Sequence, residues 1–293
     1  MSEDPFLAHR GLLFTVAYEM LGSAADAEDA VQETWLRWDG IGPERRAGVR
    51  DPRAYLVRTV TRQSLNRMRS LARRREDYVG EWLPEPLLTS PDVAEDVELA
   101  ESLSIAMLTV LETLTPTERA VFVLREVFDL PYDEIAAATG RTAAGVRQVA
   151  HRAREHVAAR RPRMEVDRSE QRQVMDRFLA ALTSGDVQGL MDALAPDAVL
   201  IADGGGFAAA ARQPILGSKL IVAFLRNFPR FAEGTELRVV WINGAPALRM
   251  DGPDPVGTSA ISMVVEDGRI TKLFAMRNPH KLERIDEEVV LGR

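Results

Sequence analysis

Apolar positions in the first 75 residues recur at helical spacing. Leu13, Val16, Ala17, Met20 and Leu21 form one stripe. Gly22 is a stop signal and Ser23 a cap for the next helix. That helix places Ala27, Ala30, Val31, Thr34 and Trp38 on one face and Asp26, Asp29, Gln32, Glu33 and Arg37 on the other. A loop rich in Gly and Arg is predicted from Gly40 to Arg50, and Asp51-Pro52 opens a long helix. Pro84, Pro86 and Pro91 mark residues 80–95 as a linker, and helical spacing returns over 97–160.

Beyond Arg163 the period changes. Helices are predicted at about 167–183 and 186–194, an apolar strand at Ala198–Ala202 and a helix near 217–228. Alternating segments follow at 235–243, 246–251, 257–266 and 269–277, with Asp267-Gly268 a hairpin signal between the last two. This half is predicted as α+β, helices packed on a curved antiparallel sheet.

Thr115-Pro116-Thr117-Glu118 is a capping box, Pro131 opens the next helix, Gly140 closes it and Thr142 caps a third. Ala136, Gly140 and Val146 have the spacing of a helix-turn-helix over Tyr132–His151: a small residue at the crossing, a left-handed turn, and an apolar plug. Val146, Val149, Ala150, Ala153 and Val157 are predicted to face the core. Arg147, Gln148, His151, Arg152 and Arg154 are left facing out, where they can reach base edges or phosphates.

Charge changes the picture more than composition does. The chain has 293 residues, 46% of them hydrophobic, and a net charge of −7, which at first argues against nucleic acid. The charge is segregated. Residues 45–75 hold eleven Arg and one acid, residues 76–118 eleven acids and no base, and residues 141–163 seven Arg and one acid. Two basic blocks around an acidic one suggest two nucleic-acid contacts joined by a solvated linker. Arg53, Arg58, Arg62, Arg67, Arg69 and Arg73–Arg75 lie along the helix that Pro52 opens. Alone, they read equally as a DNA grip or as a solvated face. There is no Cys, hence no disulfide, thiolate metal site or thiol nucleophile. No apolar run spans a bilayer and the N-terminus is acidic, so a cytoplasmic protein is expected.

The segment Asp26-Ala27-Glu28-Asp29-Ala30-Val31-Gln32-Glu33-Thr34-Trp35 resembles the core-polymerase-binding segment of bacterial sigma-70-type factors. With the arginine helix, the acidic linker and the helix-turn-helix in that order, residues 5–160 resemble the extracytoplasmic-function (ECF) sigma factors. Trp82-Leu83-Pro84-Glu85-Pro86, Asp203-Gly204-Gly205-Gly206 and Asn278-Pro279-His280-Lys281-Leu282 resemble motifs of the branch that carries a SnoaL-like C-terminal extension. That branch usually has Lys where Phe207 stands and Asp where His280 stands.

The resemblance implies two all-α sigma domains, region 2 over 1–78 and region 4 over 97–163. They are joined by a linker, 79–96, and followed by an α+β SnoaL/NTF2-like cone over 167–293. It assigns Asp26, Asp29, Gln32, Glu33 and Trp35 to the β′ and β subunits of RNA polymerase core. It assigns Arg58, Arg62, Asn66 and Arg69 to the promoter −10 element, and Thr142, Arg147, Gln148, His151 and Arg152 to the −35 element. Trp82, Pro84, Asp203, Gly204, Gly205, Asn278, Pro279 and Lys281 are implied to join the extension to the sigma domains as a built-in regulator. No cofactor, metal or catalytic residue is implied.

The alternative is a SnoaL-type small-molecule-binding or enzymatic domain fused to a DNA-binding regulator. Such a pocket needs a carboxylate base and an oxyanion donor. Asp186, Asp192, Asp197 and Asp203 are the available acids, and no Tyr follows Tyr132. A small ligand in the cone is a further expectation.

Overall fold

The structure is a computed structural model that describes residues 4–94, 96–160, 168–254 and 256–293. The chain divides into two compact units. One comprises residues 1–76, 107–161 and 289–293, the other residues 77–106 and 162–288.

The first unit is helical. Helix α1 (Pro5–Leu21) ends at Gly22, whose φ of 68° is left-handed and whose N–H returns to the Tyr18 carbonyl. Ser23 caps α2 (Ala24–Gly40) by accepting from Asp26 N, and the predicted face of α2 is buried. A short helix α3 (Pro43–Ala47) interrupts the expected loop. Asp51 accepts from Ala54 N at the start of α4 (Pro52–Glu76). The later helices of this unit are α6 (Ile105–Leu111) from Met107 onward, α7 (Pro116–Phe122), α8 (Tyr132–Thr139) and α9 (Ala143–Ala158), and they follow α5 (Val97–Leu103) of the other unit. The capping box at Thr115 and Glu118 is formed, and a π-helical turn, Val123–Val127, extends α7 toward Asp129. Arg119 is buried: its Nε donates to the Glu19 carbonyl at 2.7 Å and its Nη1 lies 2.5 Å from Glu112 Oε1. Gly292 N donates to Thr15 Oγ1, and Arg293 to the Val127 carbonyl, so the last residues pack on this unit.

In the second unit, α10 (Arg168–Ser184) and α11 (Val187–Ala193) lead into a six-stranded sheet. Its strands are β1 (Leu194–Asp203), β2 (Ile215–Leu216), β3 (Glu236–Ile242), β4 (Ala245–Asp251), β5 (Thr258–Glu266) and β6 (Arg269–Met276), in the order β2-β1-β6-β5-β4-β3. The sheet is mixed, not purely antiparallel as expected, because β1 runs parallel to β6. This pairing needs a long crossover, which the intervening helices and hairpins supply. Helices α12 (Ser218–Leu225) and α13 (Phe228–Phe231) stand between β2 and β3. The Asp267-Gly268 turn has φ of 51° and 71°, both positive, as a type I′ hairpin requires.

Period-two alternation gives the sheet two apolar faces. Ala198, Leu200 and Ala202 of β1 join Leu273 of β6, Met250 of β4 and the helices α10–α12 in one core. Ala260 and Val264 of β5 and Phe274 and Met276 of β6 point the other way, into a second core with Leu83, Ile105, Leu282 and Ile285. The linker, expected to be solvated, is instead laid on this second face. Leu83 is fully buried and Leu87 and Thr89 nearly so. Helix α14 (Pro279–Leu282) closes the same side. The boundary residues Arg163 and Asp167, and the side chains of Arg73, Arg74 and Arg75, lie outside the described residues. No helix among the described residues is long and apolar enough to cross a membrane.

Candidate nucleic-acid interface

Helix α9 is built as the pattern predicts. Gly140 (φ 69°) closes α8, and Thr142 Oγ1 accepts from Gly145 N at 3.1 Å. Val146, Val149, Ala150, Ala153 and Val157 are buried. Arg147, Gln148, His151 and Arg152 are exposed along the opposite face, with Thr142 exposed at its start. The Arg147 guanidinium lies 5.4 Å from the Tyr132 ring centroid, and His151 Nδ1 lies 3.2 Å from Glu155 Oε2. An exposed face of donors and acceptors on a helix held rigidly by its other face suits a major groove.

On α4, the Arg58 guanidinium sits 5.5 Å from the Tyr55 ring centroid, and Arg69 Nη1 donates to Asn66 Oδ1 at 3.2 Å. Arg37, Tyr55, Arg58, Arg62 and Asn66 border a cavity of about 470 Å³. Arg62 Nη2 donates to the Ala137 carbonyl at 2.7 Å and Nε to the Ala138 carbonyl at 3.4 Å. These carbonyls belong to the last turn of α8, where acceptors lack helical partners and a cation is favoured. In this arrangement Arg62 caps the helix-turn-helix.

Arg67 departs from its basic neighbours. Nine residues are two and a half helical turns, so Arg67 lies on the far side of α4 from Arg58. There its Nε is 2.6 Å from Asp26 Oδ1, its Nη2 meets the Asp29 carboxylate and its Nη1 is 3.5 Å from Glu33 Oε1. Burial pulls the Arg67 pKa down, and the bond to Asp26 with the charges of Asp26, Asp29 and Glu33 outweighs it, leaving the guanidinium firmly protonated. Asp29, Gln32 and Glu33 still face solvent, while Trp35 is half-buried with its ring 4.9 Å from that of Phe6. The −10 set expected from the sequence, Arg58, Arg62, Asn66 and Arg69, leaves Arg67 out.

A polar cluster in the second unit joins most of the motif residues implied as regulatory. Asp203 is fully buried. It accepts from Tyr78 Oη at 2.5 Å, Leu83 N at 2.9 Å and Lys281 Nζ at 2.7 Å. Lys281 Nζ also donates to the Leu83 carbonyl at 2.6 Å and stands 3.1 Å from the Trp82 ring centroid. Asn278 Nδ2 donates to Tyr78 Oη at 2.8 Å and its Oδ1 caps α14. Burial, followed by the bond to Asp203, raises the Tyr78 pKa, and the bond from Asn278 opposes them. Gly205 has φ of 58°, and a Cβ there would overlap the Asn278 amide. A Cβ on Gly204 would strike the Ala208 carbonyl. Pro84 is buried along the linker, and Pro279 is an exposed first residue of α14.

Tyr78 and Asn243 were not singled out by sequence. Asn243 holds the linker like an added strand: Leu87 N donates to its Oδ1, its N donates to the Leu87 carbonyl, and its Nδ2 donates to the Leu103 carbonyl, each at 2.9 Å. Thr89 N donates to Trp241 O at 3.0 Å. Asn243-Gly244, with φ of 54° and 72°, is a hairpin signal of the kind seen in Asp267-Gly268. Of the four acids available as bases, Asp203 is committed to the buried cluster around Tyr78, Leu83 and Lys281. Asp186 caps α11 by accepting from Gly189 N, and none of the four lines the cavity on the helix-covered face of the sheet.

The family model for sigma-70 region 2 matches residues 6–74, and that for sigma-70 region 4 matches residues 104–157. The chain is 36% identical to the ECF RNA polymerase sigma factor SigJ of Mycobacterium tuberculosis, over 96% of this chain and 93% of that one. It is 32% identical to the probable ECF RNA polymerase sigma factor SigI of the same species, over 96% and 95%. The crystal structure of M. tuberculosis SigJ matches with a TM-score of 0.76 and 34% identity, covering 95% of this chain and 97% of that one. A helix-turn-helix with an open arginine face, an acid-faced helix and two family models in register lead to one assignment. The chain belongs to the ECF RNA polymerase sigma factors, non-enzymatic subunits of transcription initiation.

Proposed function

We propose that the exposed residues around Asp29 and Glu33, with Asp26, Gln32 and Trp35, dock on the β′ and β subunits of core polymerase. Arg58, Arg62, Asn66 and Arg69 then act on the −10 element, where the adjoining cavity has room for a base drawn out of the stack. Thr142, Arg147, Gln148, His151 and Arg152 act on the −35 element. Because Arg62 caps α8 in the free chain, full promoter engagement requires the two DNA-reading segments to separate, which core polymerase drives by binding them apart.

The C-terminal domain is a built-in regulator. The observation that carries this reading is the grip on the linker: the tether between the two sigma regions is pinned at Leu83, Leu87 and Thr89 instead of running free. A pinned tether restricts the separation the two regions can reach. Run-off transcription with core polymerase tests it, using the intact chain, Tyr78→Phe and a chain ending near residue 165. Both altered chains should change promoter output while still being retained by core. Unchanged output from both would overturn the regulatory reading.

A further inference from the structure

On its helix-covered face the sheet encloses a cavity of about 420 Å³, within the range of small-molecule sites. Its floor crosses three strands. Ala202 of β1 pairs with Ala275 of β6, and Ala275 with Ile261 of β5. Small side chains at the middle of a sheet leave space that a close-packed core would fill. Phe178, Leu182, Phe228 and Met250 supply apolar walls. Phe224 of α12, 52% exposed although it lines the cavity, marks the mouth. Among the lining residues the polar ones are Asn227, Ser259 and Arg277. The Arg277 Nε donates to Ser259 Oγ at 3.2 Å, Nη2 to the Val256 carbonyl at 2.9 Å and Nη1 to the Ala209 carbonyl, bonds that fix the guanidinium, the one charged group among the lining residues, against a mostly apolar space.

We propose that this cavity binds one molecule of an apolar compound carrying a single anionic head group. The tail lies under α12 against Ala275, and the head lies toward Arg277. A cation at that end meets the guanidinium's charge, and a molecule polar along its length would lose hydration without recovering bonds. The site is one residue from the linker grip. Arg277 precedes Asn278, Ala202 precedes Asp203, and Arg277 N donates to the Asp203 carbonyl at 2.7 Å. Control of the linker by the ligand rests on the regulatory reading above, whereas binding itself does not.

Isothermal titration of the intact chain with decanoate, 1-decanol and decylammonium, all below their micellar concentrations, tests the site. Decanoate should saturate at one per chain, 1-decanol more weakly, and decylammonium not at all. Ala275→Phe should remove decanoate binding while leaving the thermal transition and retention by core polymerase in place. Ile261→Trp serves as the filling variant if Ala275→Phe does not fold. The proposal is overturned if none of the probes saturates at one per chain, if decylammonium binds as well as decanoate, or if a folded filling variant binds like the parent. Saturable decanoate binding with unchanged run-off output would uphold the site and sink control of the linker by its ligand, leaving the regulatory reading to the variants named above.

Discussion

Lys281 Nζ lies 2.7 Å from Asp203 Oδ2 where solvent reaches 5% of one side chain and none of the other. Two charges out of water hold together only because each has further partners: Tyr78 and Leu83 N on the carboxylate, the Leu83 carbonyl and the Trp82 ring on the ammonium. Removing one leaves the other stranded. Lys281→Met should destabilise the C-terminal unit by about 3–5 kcal/mol, and Asp203→Asn in the same chain should recover part of that loss. Urea unfolding of the intact chain measures both, and a loss under about 1 kcal/mol for Lys281→Met would match an exposed pair instead.

The Tyr78 hydroxyl adds a pH signature. Its folded pKa is raised above the unfolded value of about 10, so its contribution is complete below that value. As pH rises beyond it the unfolded chain ionises first, and stability falls. Tyr78→Phe should lower stability by roughly 1 kcal/mol at neutral pH and flatten the decline above about pH 10. Parallel stability curves for parent and variant would contradict this.

On α9, Arg147 is exposed and braced over Tyr132. Arg147→Ala should cost about 1–3 kcal/mol in discrimination between matched and altered −35 sequences, measured by competition with assembled holoenzyme. An equal loss on every sequence would make Arg147 a phosphate contact.

Asp29 and Glu33 remain half-exposed despite the pull of Arg67. Reversing one charge, Asp29→Lys, should weaken capture by core polymerase roughly ten-fold or more. The same change should cost the fold about 1 kcal/mol or less, because the ion pair it breaks is partly solvated. Capture at parental strength would place the docking face elsewhere.

Leu83 is fully buried on the sheet although it sits between acidic and proline-rich segments. Leu83→Ala should destabilise by about 2–5 kcal/mol, read by thermal or urea unfolding. A cost below about 0.5 kcal/mol would mean the linker floats.

Local rules carried the helices a long way. Gly22, Ser23, Thr115, Gly140 and Thr142 each cap or stop a helix by bonds made within a few residues, and those bonds are written in neighbouring letters. The linker departs from its sequence pattern for the opposite reason. Its prolines and acids describe a solvated coil, and its burial comes from Asn243 and Asp203, more than a hundred residues on. The parallel pairing of β1 with β6 is equally non-local. The contact between Phe207 and His280, whose rings meet edge to face at 4.6 Å, is likewise made by residues far apart in the chain.

The alternation along β1 also limits how this protein can change. Ala202 serves one face of the sheet and Asp203 the other, and Arg277 and Asn278 repeat the arrangement beside them. A substitution at one position can retune what is bound on its side while leaving the opposite face intact. Loss or gain of a single residue in either strand would exchange the faces at a stroke. Descendants of this chain should therefore diversify here by replacement, with insertions and deletions confined to the turns.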